Sequence, residues 1–93
     1  MGKAKCTLQI DNDRVRVTRW DFDDGDETGW HRHEMDYVIV PSGDGTLRLL
    51  HPDGLENRAE LSNGVSYFRA AGVEHNVIND SGQPFAFVEI ELK

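Results

Sequence analysis

Three of the four histidines, His31, His33 and His75, are the residues of this 93-residue chain best suited to chemistry. His31 and His33 are two apart. On an extended strand, residues at that spacing project from one face, which brings their imidazoles close enough to chelate a single ion. His75 offers a third nitrogen from a later run that also follows a turn. Imidazole is the commonest nitrogen ligand of first-row transition metals, and ligands on fixed strands lower the entropic cost of assembling a site. The pattern predicts one divalent transition metal ion. Fe, Mn, Ni, Cu and Zn all suit such a ligand set, which does not choose among them.

Strands and turns must carry these ligands, and the sequence supplies both. Turn signals recur every eight to twelve residues, at 11–13, 23–29, 41–45, 51–54, 62–64, 70–72 and 79–82. That rhythm belongs to all-β sandwiches and barrels. Between the turns lie runs rich in β-branched and aromatic residues, at 14–22, 37–40, 46–50, 65–68, 76–78 and 85–92, none with a sustained helical spacing. In the last run Ala86, Val88, Ile90 and Leu92 form a continuous apolar set, expected to point into the core. The opposite set opens with Phe85 and Phe87 and invites a second apolar neighbour. With the apolar run at 7–10, these phenylalanines predict a homodimer. Val15 and Val17 differ in parity from Trp20 and Phe22, which predicts a bulge near Thr18.

Composition narrows the partners. Ten Lys plus Arg against seventeen Asp plus Glu give a net charge of −7. The sequence pI is near 4.9. Such a field repels phosphate backbones and anionic lipid, so neither nucleic acid nor membrane is an expected partner. The one basic group, Arg14, Arg16 and Arg19, is interrupted by Val15, Val17 and Thr18 and followed at once by acids. No apolar run approaches spanning length and the N-terminus lacks a secretory pattern, so a cytoplasmic protein is expected. The opening Met-Gly lacks the Ser or Thr that myristoylation needs, because Cys6 stands there. That single cysteine cannot form an internal disulfide and is read as a packing residue.

The spacings resemble two signatures of the cupin superfamily. The first, G-(x)5-H-x-H-(x)3,4-E-(x)6-G, is matched by Gly25, His31 and His33. The second, G-(x)5-P-x-G-(x)2-H-(x)3-N, is matched by Gly64, Gly72, His75 and Asn79, with Ala70 in place of the proline. The glycines suit turns that need positive φ, and Asn79 can close the turn that follows. The resemblance implies an antiparallel jelly-roll β-barrel of the RmlC-like kind with the metal inside its mouth, as one domain over 1–93 with a core at about 7–92. More narrowly, the stretches 28–41 and 66–77 resemble small cupins named for β-alanine degradation.

The first signature departs after His33, where Tyr37 stands in the position of the family's Glu. Asp36 is one residue early, yet Asp36 to Gly43 reproduces the spacing of Glu to the last glycine. Asp36 is therefore an alternative fourth ligand. If it does not bind, Tyr37 is expected to point toward the metal and Asp36 to cap the turn. Tyr37 and Tyr67 are the candidate catalytic groups, with Asp36 and Glu74 as further acid–base candidates. His51 precedes Pro52-Asp53-Gly54 and is read as a solvated turn residue. Trp30, Tyr67, Phe68 and Phe87 are read as core or pocket lining. The acid-rich stretch 21–27 has its glycine out of register for a calcium loop.

Two functions are compatible with this reading. One is a metalloenzyme, an oxygenase, isomerase or lyase acting on a small organic carboxylate or carbonyl metabolite, as in amino-acid catabolism such as β-alanine degradation. The other is a non-catalytic module that binds or senses a small molecule or metal ion. In both, the partner is a small-molecule ligand.

Overall fold

The computed structural model describes residues 2–93. The described residues form nine strands: β1 (Lys5–Asp11), β2 (Val15–Phe22), β3 (His31–Arg32), β4 (Asp36–Ser42), β5 (Gly45–Leu50), β6 (Glu56–Leu61), β7 (Tyr67–Arg69), β8 (Glu74–Asn79) and β9 (Phe85–Leu92). They assemble into two antiparallel sheets, ordered β1-β2-β9-β4-β7 and β3-β8-β5-β6. From β2 onward the chain passes back and forth between the sheets, apart from the β5–β6 hairpin within one of them, which is the jelly-roll path. The sheets remain open at their edges, so the molecule is a sandwich-like jelly-roll barrel. No helix of the described residues is long and apolar enough to cross a membrane.

The core lies between the sheets. Phe22, Tyr37, Ile39, Phe85 and Phe87 come from one sheet, and Leu47, Leu61 and Val77 from the other. Each occupies alternate positions of its strand, as one-sided burial requires. Five of the six predicted runs coincide closely with β2, β4, β5, β8 and β9, and β7 begins inside the sixth. Strands β1, β3 and β6 have no counterpart among them, although β1 contains the apolar run at 7–10. β3 is only two residues long, and β6 carries four polar residues in six (ENRAEL).

Two expectations about facing are overturned. In β9 it is Phe85, Phe87 and Glu89 that point inward. Ala86, Val88, Ile90 and Leu92 lie on the outer face of the sheet, where Ile90 pairs with Val17 and Val38. Both faces of the strand carry apolar residues, so alternation alone could not orient it. The larger phenylalanines fill the space between the sheets, and that removes them as surface for a second subunit. The bulge is also displaced. Pairing of β2 with β9 is continuous, and the register shift falls in β1, between Leu8 and Ile10, opposite Thr18 and Val17. Val17 and Trp20 differ in parity because they serve opposite faces.

The ligand strands are anchored by backbone pairing. His31 lies opposite His75 in the β3–β8 register. His33 follows immediately and exchanges backbone hydrogen bonds with the turn before β8, donating from N to Val73 O (2.8 Å) and accepting at O from Gly72 N (2.8 Å). Gly72 holds φ at 100°, and a Cβ there would meet nothing within 4 Å, so it is backbone conformation that requires glycine. Asn79 closes the next turn as expected. It accepts from Ser81 N (3.1 Å) and donates to Gln83 O (2.8 Å).

Candidate metal centre

His31, His33 and His75, drawn from two places in the chain, converge at the inner wall of the cavity between the sheets. Nε2 of His33 lies 3.1 Å from Nε2 of His31 and 3.2 Å from Nε2 of His75. Ligand atoms that share one ion at about 2.1 Å and meet at 90–100° stand about 3.0–3.2 Å apart. The separations therefore fit a common ion. Orientation supports the same reading. Nδ1 of His31 is 2.9 Å from the carbonyl oxygen of Gly29, which can only accept, so Nδ1 carries the proton and Nε2 presents its lone pair. Thr28 Oγ1 stands beside the same Nδ1 at 3.3 Å.

The site is dry. His33 and His75 are 4% and 8% exposed. Burial, with the neighbouring His31 adding to it, holds His33 at a pKa of about 4 and His75 at about 3, so both are neutral near pH 7. Neutral imidazole is the form that binds metal. The Tyr37 ring, 2% exposed, stacks on His33 with centroids 3.8 Å apart and planes at 19°. It fixes the ring through packing. Burial pushes both phenols, Tyr37 and Tyr67, above the usual tyrosine value, so both remain protonated hydrogen-bond donors.

Asp36 is not part of this group. It is exposed, and its Oδ1 accepts from Ala71 N at 2.8 Å, which ties the start of β4 to the turn before β8. The side chain is on the outer face of the sheet because its partner is Leu92, one position out of phase with the inward Tyr37 and Glu91. Glu74 is exposed as well, opposite Arg32. His51, expected in solvent, instead lines the cavity and bonds Asn57 Oδ1 through Nε2.

The carboxylate beside the histidines is Glu89, which was not among the residues expected at the site. Its Oε1 is 3.8 Å from His33 Nε2. Burial, reinforced by the charge of Glu91, raises its pKa to about 7. A signal was present: Glu89 shares the parity of Phe85 and Phe87, and two aromatics on one side outweigh smaller aliphatics in choosing the inward face. The cavity has a volume of about 200 Å³, with Trp20, Ile39, Leu49, Val77 and Phe87 among its apolar walls.

Residues 18–91 match the cupin domain family. The chain belongs to that family. This cupin is 56% identical over 91 residues to the β-alanine degradation protein BauB of Pseudomonas aeruginosa, covering 98% of this chain and 95% of that protein. A crystal structure of a cupin domain from Bordetella pertussis is 58% identical, with a TM-score of 0.94 over 99% of this cupin and 95% of that chain. The polyketide cyclase RemF of Streptomyces resistomycificus shares the fold at 24% identity, with a TM-score of 0.72 over 98% of this cupin and 68% of that chain.

The buried groups set a pH dependence for the metal-free cupin. His33 and His75 have folded pKa values below the ordinary 6.5, so below that pH the unfolded chain takes up two protons that the folded chain refuses. Glu89, raised to about 7, acts in the opposite sense and lets the folded chain bind one proton first. The histidines outnumber it. Metal-free protein should lose stability as pH falls from about 6.5 toward about 4, and Glu89→Gln should steepen that loss, as read by urea denaturation at stepped pH.

Proposed function

We propose that this cupin holds one divalent transition metal ion, Fe, Mn, Ni, Cu or Zn, through His31, His33 and His75. It acts as a metalloenzyme on a small organic carboxylate or carbonyl metabolite of amino-acid catabolism. The observation that carries the reading is the convergence of three imidazole nitrogens on the wall of a small, mainly apolar cavity. The name of BauB, a relative at 56% identity, supports β-alanine degradation as the setting.

When bound, the ion supplies Lewis-acid polarisation of a carbonyl or carboxylate oxygen. The chain's own residues do the rest. Glu89, with a pKa near 7 beside His33, is poised to take or give a proton at neutral pH. Tyr37 and Tyr67 keep their hydroxyl protons and serve as donors to the ligand, while Trp20 and Phe87 help exclude water.

The homodimer finds support on a different surface from the one the sequence suggested. Ile10, Val17, Ile90, Val38 and Phe68 lie side by side across all five strands of the larger sheet, on its outer face. The ends of this row are open, with Ile10 48% and Phe68 54% exposed. A continuous apolar row of that kind favours self-association. Light scattering should give a dimer at micromolar concentration, and Ile10→Lys with Phe68→Glu should give a monomer of unchanged metal content.

Metal analysis of purified variants tests the ligand assignment. His33→Ala or His75→Ala should remove most of the ion. Asp36→Ala and Tyr37→Phe should retain nearly all of it. An Asp36→Ala protein as empty as His75→Ala would overturn the three-histidine reading. Metal-loaded protein that binds small carboxylates but turns over none of them would identify the module as non-catalytic.

A further inference from the structure

The cavity's chemistry is asymmetric. One end carries the histidines, and its walls are mainly apolar, but β7 contributes a single guanidinium, Arg69, the only Arg or Lys among the described residues that lines it. The chain contains seven arginines. Five of them, Arg16, Arg19, Arg32, Arg48 and Arg58, pair with a carboxylate. Among the described residues, Arg14 and Arg69 lack such a partner. Arg14 lies in the turn before β2 and takes no part in the cavity, whereas Arg69 faces it.

A free guanidinium is unexpected in a chain of net charge −7, where carboxylates abound. Two contacts nevertheless hold it without neutralising it. Its Cζ sits 4.7 Å from the centroid of the Tyr67 ring, and its Nη1 donates to the Phe68 carbonyl oxygen at 3.1 Å. The remaining N–H groups keep the forked geometry that matches a carboxylate. Arg69 also pairs with Tyr37 in the β4–β7 register, and the Tyr37 ring stacks on His33. One strand spacing thus separates the backbone bearing the cation from that of the ring that touches the histidines.

We propose that Arg69 anchors the carboxylate of the ligand, so that the cavity selects short-chain organic acids held between this guanidinium and the histidine group. The inference rests on the small-molecule reading above and narrows it from carboxylate or carbonyl to carboxylate. A volume of about 200 Å³ lies below the range of drug-sized sites, which restricts the chain to a few carbons. Net negative charge repels anions in general, so a local cation is what admits one here. An uncharged analogue of the same shape gains nothing from it.

Titration of metal-loaded protein with propionate and with propionamide, followed by calorimetry or amide NMR shifts, tests the assignment. Wild type should prefer propionate by about tenfold or more, Arg69→Met should abolish the preference at unchanged metal content, and Arg69→Lys should keep part of it. Arg69→Met that binds propionate as tightly as wild type would overturn the proposal. So would a wild type that does not distinguish the two. Metal content measured on the same samples separates the two readings. A preference that persists in wild type lacking any ion leaves the anchor standing while the metal assignment falls, and a fully loaded protein without preference removes the anchor alone.

Discussion

Three imidazole nitrogens held about a hydrogen bond's length apart in the cavity between the sheets are the constraint on which the rest of this molecule depends. Lone pairs at that distance repel unless a proton or a cation lies between them. Water cannot screen them, because the two deeper rings are almost wholly buried. Protonation is the costly solution, since burial holds both deeper histidines well below the ordinary value. A shared metal ion satisfies all three at once. The same desolvation that makes a bare cluster unfavourable is the reason the three nitrogens suit a shared cation.

Much of the local architecture serves to hold that cluster. The short β3 has no independent reason to exist, and it is fixed by pairing with β8 so that His31 meets His75. Upstream, the segment between β2 and β3 runs along β8, with Thr28 N donating to Val77 O at 2.9 Å and Gly29 N donating to Asn76 Oδ1 at 3.0 Å. Those bonds set the Gly29 carbonyl that orients His31. The Tyr37 ring backs His33 from the opposite sheet, so the site ties the two sheets together and its geometry depends on their packing. Preorganisation of this kind keeps ligand rings from collapsing before an ion arrives.

The histidine cluster was readable in the sequence because its spacings are local. Two histidines at strand spacing, and a third placed by a glycine turn and a closing asparagine, need only the rule that alternate residues share a face. The strand rhythm was legible for the same reason. Facing was not. β9 is apolar on both sides, and which side meets the core depends on the size of the residues on facing strands, information that no single strand contains. That one ambiguity misplaced Phe85, Phe87 and Glu89 together. Asp36 illustrates the converse, since spacing suggested a ligand while the pleat turned it to the outer face, where it ties the turn before β8. His51 reached the cavity although it precedes a Pro-Asp-Gly turn, because the end of β5 continues along the wall.

What the fold contributes is a rigid mouth with three fixed nitrogens, and what the neighbouring residues contribute is polarity on an otherwise apolar wall. Glu89 and the protonated phenols sit where a ligand would meet them, and burial is the largest cause of each raised pKa, with neighbouring negative charge adding to it. The central claim is that a single ion sits on the three imidazoles. A crystal structure of metal-loaded protein, with the ion located by anomalous scattering at its absorption edge, tests it most directly. The account predicts one peak about 2.1 Å from Nε2 of His31, His33 and His75 alike. A peak bound by only two of these histidines, or one found on surface carboxylates with the cluster empty, would contradict it.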